Sequence, residues 1–427
     1  MSTTDILIWI HICLSRLVLA AALVGSAACG SSARLPVSDG TGPAPTLPAA
    51  SRSMLPLVHV VSARGWPPGA TPAAAPGTAV EPFARDLDHP RWLHVLPNGD
   101  VLVAETNAPP RPQYARGMRG WFFKRYQKKA GGAVPSANRI TLLRDADGDG
   151  RSEVRSVLLS GLNSPFGMAL VGETLYIANS DGVVSYPYAA DQTRITAPAT
   201  RVIDLPAGPI NQHWTRNLIA SPDGTRLYVA IGSASNIGEH GMLEEEGRAA
   251  IWEIDLRTGR HRVFASGLRN PVGMAWEPGT GRLWVAVNER DELGSDLVPD
   301  YMTSVRDGGF YGWPYSYFGA NVDDRIKPPR PDLVATAIVP DYALGPHTAS
   351  LGLASARQVR LGPAFGDGMF VGQHGSWNRK PRSGYKVVFV PFSGGRPSGQ
   401  PMDVLTGFVE EDGDAMGRPV GVAIDTR

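Results

Sequence analysis

Cysteine is almost absent: the only two, Cys13 and Cys29, lie within the first thirty of 427 residues. The rest of the chain has no thiol, which excludes Cys-ligated metals, disulfides and thiol catalysis there. An excess of one charge is also lacking. Forty-one Lys and Arg face forty Asp and Glu, interspersed, for a net +1. No nucleic-acid partner is expected, since that needs a clustered basic face. No Gly-X-Gly-X-X-Gly opens a helix after a strand, so nicotinamide binding has no motif to rest on. Long helix-forming runs are scarce, whereas Gly (49) and Pro (37) are plentiful. Short strands joined by many turns are the expectation.

At the N-terminus, Arg16 precedes an apolar run from Leu17 to Cys29 that is too short to span a bilayer comfortably. Small residues ahead of Cys29 resemble a lipoprotein signal, with ordinary cleavage or an uncleaved anchor as the alternatives. Residues 1–29 are thus expected to be an export signal, leaving the protein periplasmic or anchored through a lipidated Cys29. Residues 30–77 are Ser-, Ala-, Pro- and Gly-rich and predict a disordered tether. Residues 78–427 form the folded body.

That body repeats one pattern: an apolar strand, an Asx-Gly or Gly-rich turn, and a second apolar strand. Copies run from His89 to Glu105, Ser164 to Asn179, Thr215 to Gly232 and Asn270 to Val287, with weaker ones near Arg360 and Arg418. Each reads as a β-hairpin whose turn supplies positive φ. Outer strands such as Ala250–Asp255 and Lys386–Pro391 would complete four-stranded units. Six copies predict an all-β, six-bladed propeller of antiparallel blades, the last incomplete. A β-sandwich array is the alternative.

Polar clusters at the borders of the repeat are the candidate site. His213, in Asn211-Gln-His-Trp-Thr-Arg-Asn217, enters an inner strand with polar neighbours, and imidazole suits removal of a hydroxyl proton. A histidine merely hydrogen-bonded in the channel is the other reading. Beyond its hairpin lies a small-residue loop ending at Asn236. Arg269 and Asn270 lead to Asn288, Glu289, Arg290 and Asp296, a segment dense enough in oxygen donors for Ca²⁺, or simply a solvated acidic loop. Gly308 to Phe318 is unusually aromatic; Tyr311, Trp313 and the more distant Trp377 could stack on a sugar, while Gly-Trp-Pro reads equally as a structural plug. His374, Arg379 and Arg418 add cations for an anionic ligand. Asp145-Ala-Asp-Gly-Asp-Gly150 begins like an EF-hand but has Ser156 at position twelve, so a hairpin turn is expected, with structural Ca²⁺ as an option.

Taken in order, these segments resemble one family. His213 followed by Pro222-Asp223, then Asn236, Arg269-Asn270-Pro271, and Gly308-Gly-Phe-Tyr-Gly-Trp-Pro314 are similar to soluble quinoprotein glucose and aldose sugar dehydrogenases. Asn288-Glu-Arg-Asp, Gly375-Ser-Trp-Asn-Arg379 and Gly417-Arg-Pro-Val-Gly421 resemble the L-sorbosone dehydrogenase-like group. The resemblance, from about Phe83 onward, implies pyrroloquinoline quinone (PQQ) over Ca²⁺ at the channel mouth. His213 would be the base, and Asn217, Asn236, Arg269, Asn270, His374, Arg379 and Arg418 would surround the cofactor. It also implies a sorbosone-like sugar substrate and an exported electron acceptor. The family's calcium segment and cofactor lysine are altered here. A calcium-dependent lactonase and a glycan- or protein-binding propeller stand as the alternatives.

Overall fold

The computed structural model describes residues 32–51, 57–112, 117–356, 361–410 and 413–425. The expected export signal and Cys29 lie outside these. The body is all-β and built radially from five antiparallel blades. Blade 1 comprises Pro90–Val95, Val101–Glu105, Arg139–Arg144 and Val154–Leu159. Blade 2 comprises Met168–Val171, Thr174–Asn179, Gly182–Pro187 and Thr200–Asp204. Blade 3 comprises Arg216–Ala220, Arg226–Ile231, Ala250–Asp255 and His261–Ser266. Blade 4 comprises Pro271–Glu277, Arg282–Val287, Pro299–Ser304 and, after a long excursion, Tyr342–Pro346. Blade 5 comprises Ser350–Ser355, Gly368–Gln373, Lys386–Ser393 and Met402–Thr406. The second strands are buried on both faces, because each sheet is sandwiched between its neighbours; Leu227 to Ile231 is an unbroken buried run.

The expectation of six blades is corrected to five. Five blades are present among the described residues; residues 418–425, from the sixth copy, form no strand and lie between blade 5 and blade 1. The glycine inside the repeat explains how the ring is held. A Cβ on Gly167 would stand 2.2 Å from the Leu218 backbone nitrogen, and one on Gly273 2.5 Å from Leu351 O. On Gly352 it would stand 2.3 Å from Val420 O, and on Gly421 2.9 Å from Arg91 O. Inner strand therefore meets inner strand backbone to backbone, and residues 418–425 take the sixth place, with Gly421 N–H donating to Arg91 O at 3.0 Å. No side chain fits in these contacts. Gly273→Ala should cost about 1–3 kcal/mol through forced separation of blades 4 and 5, read as a fall in calorimetric Tm; an unchanged Tm would show that the contact can slide.

Of residues 30–77, expected to be a disordered tether, the described ones (32–51 and 57–77) lie against the body. Thr41–Gly42 pairs with the outer strand of blade 4, and Ala73–Ala74 with that of blade 5. Between them Ser51 donates to Leu293 O, His59 to Trp377 O and Ala63 to Lys129 O. The segment is a strap that satisfies backbone groups along the body, and covered sheet edges resist aggregation. Small and polar residues suit it because it needs hydrogen bonds rather than a core of its own.

Inner strands begin, and second strands end, on one face of the ring, here called the upper face. The second-to-third strand connections of every blade therefore lie there. That of blade 1 carries the longest helix among the described residues, α1 (Gly117–Lys129).

Candidate active site

His213 sits at the upper entrance of blade 3. Its Nδ1 lies 3.0 Å from Ser233 O and 2.9 Å from Ser233 Oγ. A carbonyl can only accept, so Nδ1 carries the proton, and Ser233 Oγ turns its own hydrogen to Ser235 O at 2.6 Å. This fixes the tautomer: Nε2 keeps its lone pair. Burial, then Arg269, hold the imidazole pKa well below its ordinary value, with Arg111 adding to the effect. His213 is thus a neutral proton acceptor throughout the neutral range.

A basic set lies around it. Arg91, Arg111, Arg418, His213 and His374 are each half-buried, as channel-lining groups must be. Burial and the charges of Arg418 and Arg111 bring Arg91 down to about 10. Burial and the charges of Arg418 and Arg91 hold His374 well below its usual value. Arg111 also donates to Gln212 O at 3.1 Å, beside His213. Arg418 lies 5.0 Å over the Tyr385 ring. Arg91 Nε is buried with no hydrogen-bond partner, and no carboxylate within ion-pair distance of Arg91 is present among the described residues. Cations repelling one another around an unpartnered donor are the arrangement that an anionic ligand would relieve. Arg91 and Arg111 were missed by sequence reasoning. The signal for Arg91 was its place in His89-Pro-Arg, where the other copies put Phe or Val after the proline.

Acidic groups gather opposite, on the connection after Val287. Burial pushes the Glu289 carboxyl up to about 7. Asp291 is held well below the carboxylate range despite its burial, by His347, Arg269 and Asn378. Asn378 donates to it at 2.7 Å and Arg269 at 3.3 Å. Asp300, also missed, accepts from Glu289 N at 2.9 Å, Ser350 N at 2.8 Å and Thr348 Oγ1 at 3.1 Å, and so ties blade 4 to blade 5.

Several expected site residues are structural instead. Asn217 donates to Val272 O at 2.7 Å and bridges blades 3 and 4. Arg269 is fully buried and donates to Glu289 O at 2.5 Å, Asn288 O at 3.3 Å and Asn236 Oδ1 at 2.8 Å. It is a hub that holds the loops ending blades 3 and 4, and Asn236 is its partner rather than a free ligand. Arg290 is paired with Asp323, and a guanidinium repels a metal. Asp296 accepts from Arg34 N and Arg379, out on the strap. Arg379 is buried among Ser295 O, Leu35 O and Pro381 O. Tyr311 is fully buried with its hydroxyl on Ser304 O, and Trp313 donates to Asn236 O. The aromatic segment is therefore a plug and not a sugar platform. Trp377 is exposed on the rim. Asn270 Oδ1 is buried without a partner beside Gly232 and remains available to a ligand.

Away from the mouth, Asp145, Asp147, Asp149 and Glu153 bring carboxylate oxygens within 4.8 Å of one another at a blade 1 hairpin. The backbone N–H groups of Gly148, Asp149 and Arg151 donate to the Asp145, Asp147 and Asp149 carboxylates and close that loop as a turn.

The sequence model of the TrAA12-like family matches residues 135–304 and 334–427. A PQQ-dependent pyranose dehydrogenase of Coprinopsis cinerea is 25% identical over 361 residues, which cover 74% of this chain and 44% of that protein. An uncharacterized protein of Borreliella burgdorferi is 29% identical over 224 residues, 51% of this chain and 57% of that protein. The chain thus spans about half the length of these relatives. Among solved structures, the holo PQQ domain of the Coprinopsis cinerea pyranose dehydrogenase superposes with a TM-score of 0.63 at 24% identity, covering 84% of this chain and 94% of that one. A calcium structure of a Trichoderma reesei family AA12 enzyme gives 0.64 at 19% identity, covering 83% and 92%.

Proposed function

We infer what this chain does from one premise: it belongs to the TrAA12-like family. The reading is a PQQ- and calcium-dependent dehydrogenase that oxidises an aldose or a related sugar aldehyde. One observation carries it, the neutral His213 with its Nε2 lone pair set near Arg91 and Arg418, for which no carboxylate lies within ion-pair distance among the described residues.

PQQ is a tricarboxylate, and the donors present fit it. Arg91 and Arg418 would meet carboxylates, the first through an Nε that otherwise has no partner. The oxygen-rich connection opposite suits a hard cation; the Glu289 carboxylate, with Asn288 beside it, is the donor a Ca²⁺ would use. When bound, the quinone supplies a two-electron acceptor polarised by the metal. The protein's own part is proton handling and placement. His213 takes the substrate hydroxyl proton at Nε2, and Ser233 stabilises the resulting imidazolium through Nδ1–H. Arg269 keeps the Asn236 and Glu289 loops at fixed separation. A sorbosone-like substrate and an exported electron acceptor complete the proposal.

The test is reconstitution. Apoprotein given PQQ and Ca²⁺ should take up the quinone with a changed absorbance spectrum and reduce an artificial dye with aldoses from a panel. Neither spectrum nor dye reduction would overturn the reading, and lactone hydrolysis needing Ca²⁺ alone would replace it with a hydrolase.

A further inference from the structure

The balanced charge of the whole chain conceals a local imbalance. Between Glu105 and Asp145 there are nine Lys and Arg and not one Asp or Glu. Helix α1 lies in this stretch and turns Gly120, Phe123 and Gln127 toward the body. Its outward side presents Lys124, Arg125, Lys128 and Lys129 together with two aromatic rings. Trp121 is 58% exposed and Phe122 47%, packed edge to face at 4.9 Å, with the Arg125 guanidinium 6.0 Å from the Trp121 ring. Large exposed rings beside cations, with none of the described residues covering them, are unusual on a protein surface.

The same rim continues to blade 5. Lys129 O accepts from Ala63, and four residues earlier in the strap His59 donates to Trp377 O. Trp377 is itself 40% exposed. Three residues beyond it, Lys380 O accepts from Ala33, where the described chain begins on this edge. Rings and cations therefore share one edge of the upper face. The opposite edge differs: the blade 3 connection exposes Leu243, but with Glu244 and Glu246 on either side of Glu245.

We propose that the edge formed by α1, the strap and Trp377 docks on a bilayer surface bearing anionic phospholipid headgroups. Lys and Arg face the phosphates, and Trp121, Phe122 and Trp377 sit at headgroup depth, where amphipathic rings partition. Docking by this edge holds the mouth of the channel beside the bilayer with the blade 3 side tilted outward. The inference is independent of the redox reading, because it needs no cofactor.

Full-length protein mixed with phosphatidylglycerol/phosphatidylethanolamine vesicles containing brominated acyl chains tests it. Tryptophan emission should be quenched, and most of that quenching should vanish in Trp121→Phe/Trp377→Phe. Lys128→Glu/Lys129→Glu, both exposed and thus expected to leave Tm nearly unchanged, should weaken binding at least tenfold at low salt and less at high salt. Quenching unaltered by the aromatic replacements would mean the protein hangs by its N-terminus alone and would overturn the proposal. So would a helix shielded by an acidic protein but untouched by vesicles.

Discussion

His213→Ala is expected to lower kcat for sugar oxidation by about 10²–10⁴-fold, the usual worth of a positioned general base, with quinone uptake nearly unchanged. The side chain reaches Ser233 and the channel but bridges no blades, so Tm should scarcely move. Its pH signature is as specific as its magnitude. Burial and the Arg269 charge hold the imidazole pKa well below its ordinary value, so the neutral, proton-accepting form persists as pH falls. The rate should stay level from neutral pH down through about 6.5, where an unperturbed histidine would switch off, and decline only well below. Ser233→Ala removes one acceptor of Nδ1–H but leaves the carbonyl, so it should cost far less. An acid limb near the ordinary histidine value, or a loss of quinone uptake in His213→Ala, would assign His213 a binding role instead.

What could be read from the sequence follows from where information is local. The hairpins were legible because strand and turn signals are adjacent: Pro222-Asp-Gly-Thr225 closes its turn with Asp223 Oδ1 on Thr225 N and on both neighbouring hydroxyls. His213 was legible because it stands at a repeat border, and all such borders meet on one face. The blade count was not, since whether Arg418 to Asp425 lies between two other blades depends on contacts with Gly352 and with Arg91, the latter more than three hundred residues away. The strap failed for a similar reason: its composition lacks a core, and composition says nothing about pairing with an existing edge. Cofactor candidates were over-assigned by a single mechanism. Arg269, Asn217 and Asn236 stand near the mouth and Arg379 beside the strap, but in the folded chain their donors are consumed within the protein, mostly by backbone carbonyls. Polarity at a border marks either a ligand or a brace, and only the partners tell which.

Arg91 makes the sharpest distinction between those two roles, because ligand binding and stability should respond to its loss with opposite signs. In the protein without cofactor, Arg91 faces the charges of Arg418 and Arg111 with a buried Nε that bonds to nothing. An unsatisfied buried donor costs about 1–3 kcal/mol, and the like charges add to it. Arg91→Met keeps the side chain's length and removes both penalties, so the apoprotein should melt higher. PQQ, however, would lose a charge-assisted contact worth about 1.5–3 kcal/mol, raising its Kd roughly ten- to hundredfold. Arg418→Met should weaken uptake in the same direction, and the double replacement should fall short of the summed losses, since each removal relieves the other's repulsion. Titrating the quinone against intrinsic fluorescence, with Tm measured on the same apoprotein, reads both signs. A lower apoprotein Tm with unchanged Kd would make Arg91 a brace like Arg269, and the anion site would then have to rest on Arg418 and Arg111. The expected result is the reverse: a guanidinium kept at a structural disadvantage in the empty channel, because its partner is the ligand.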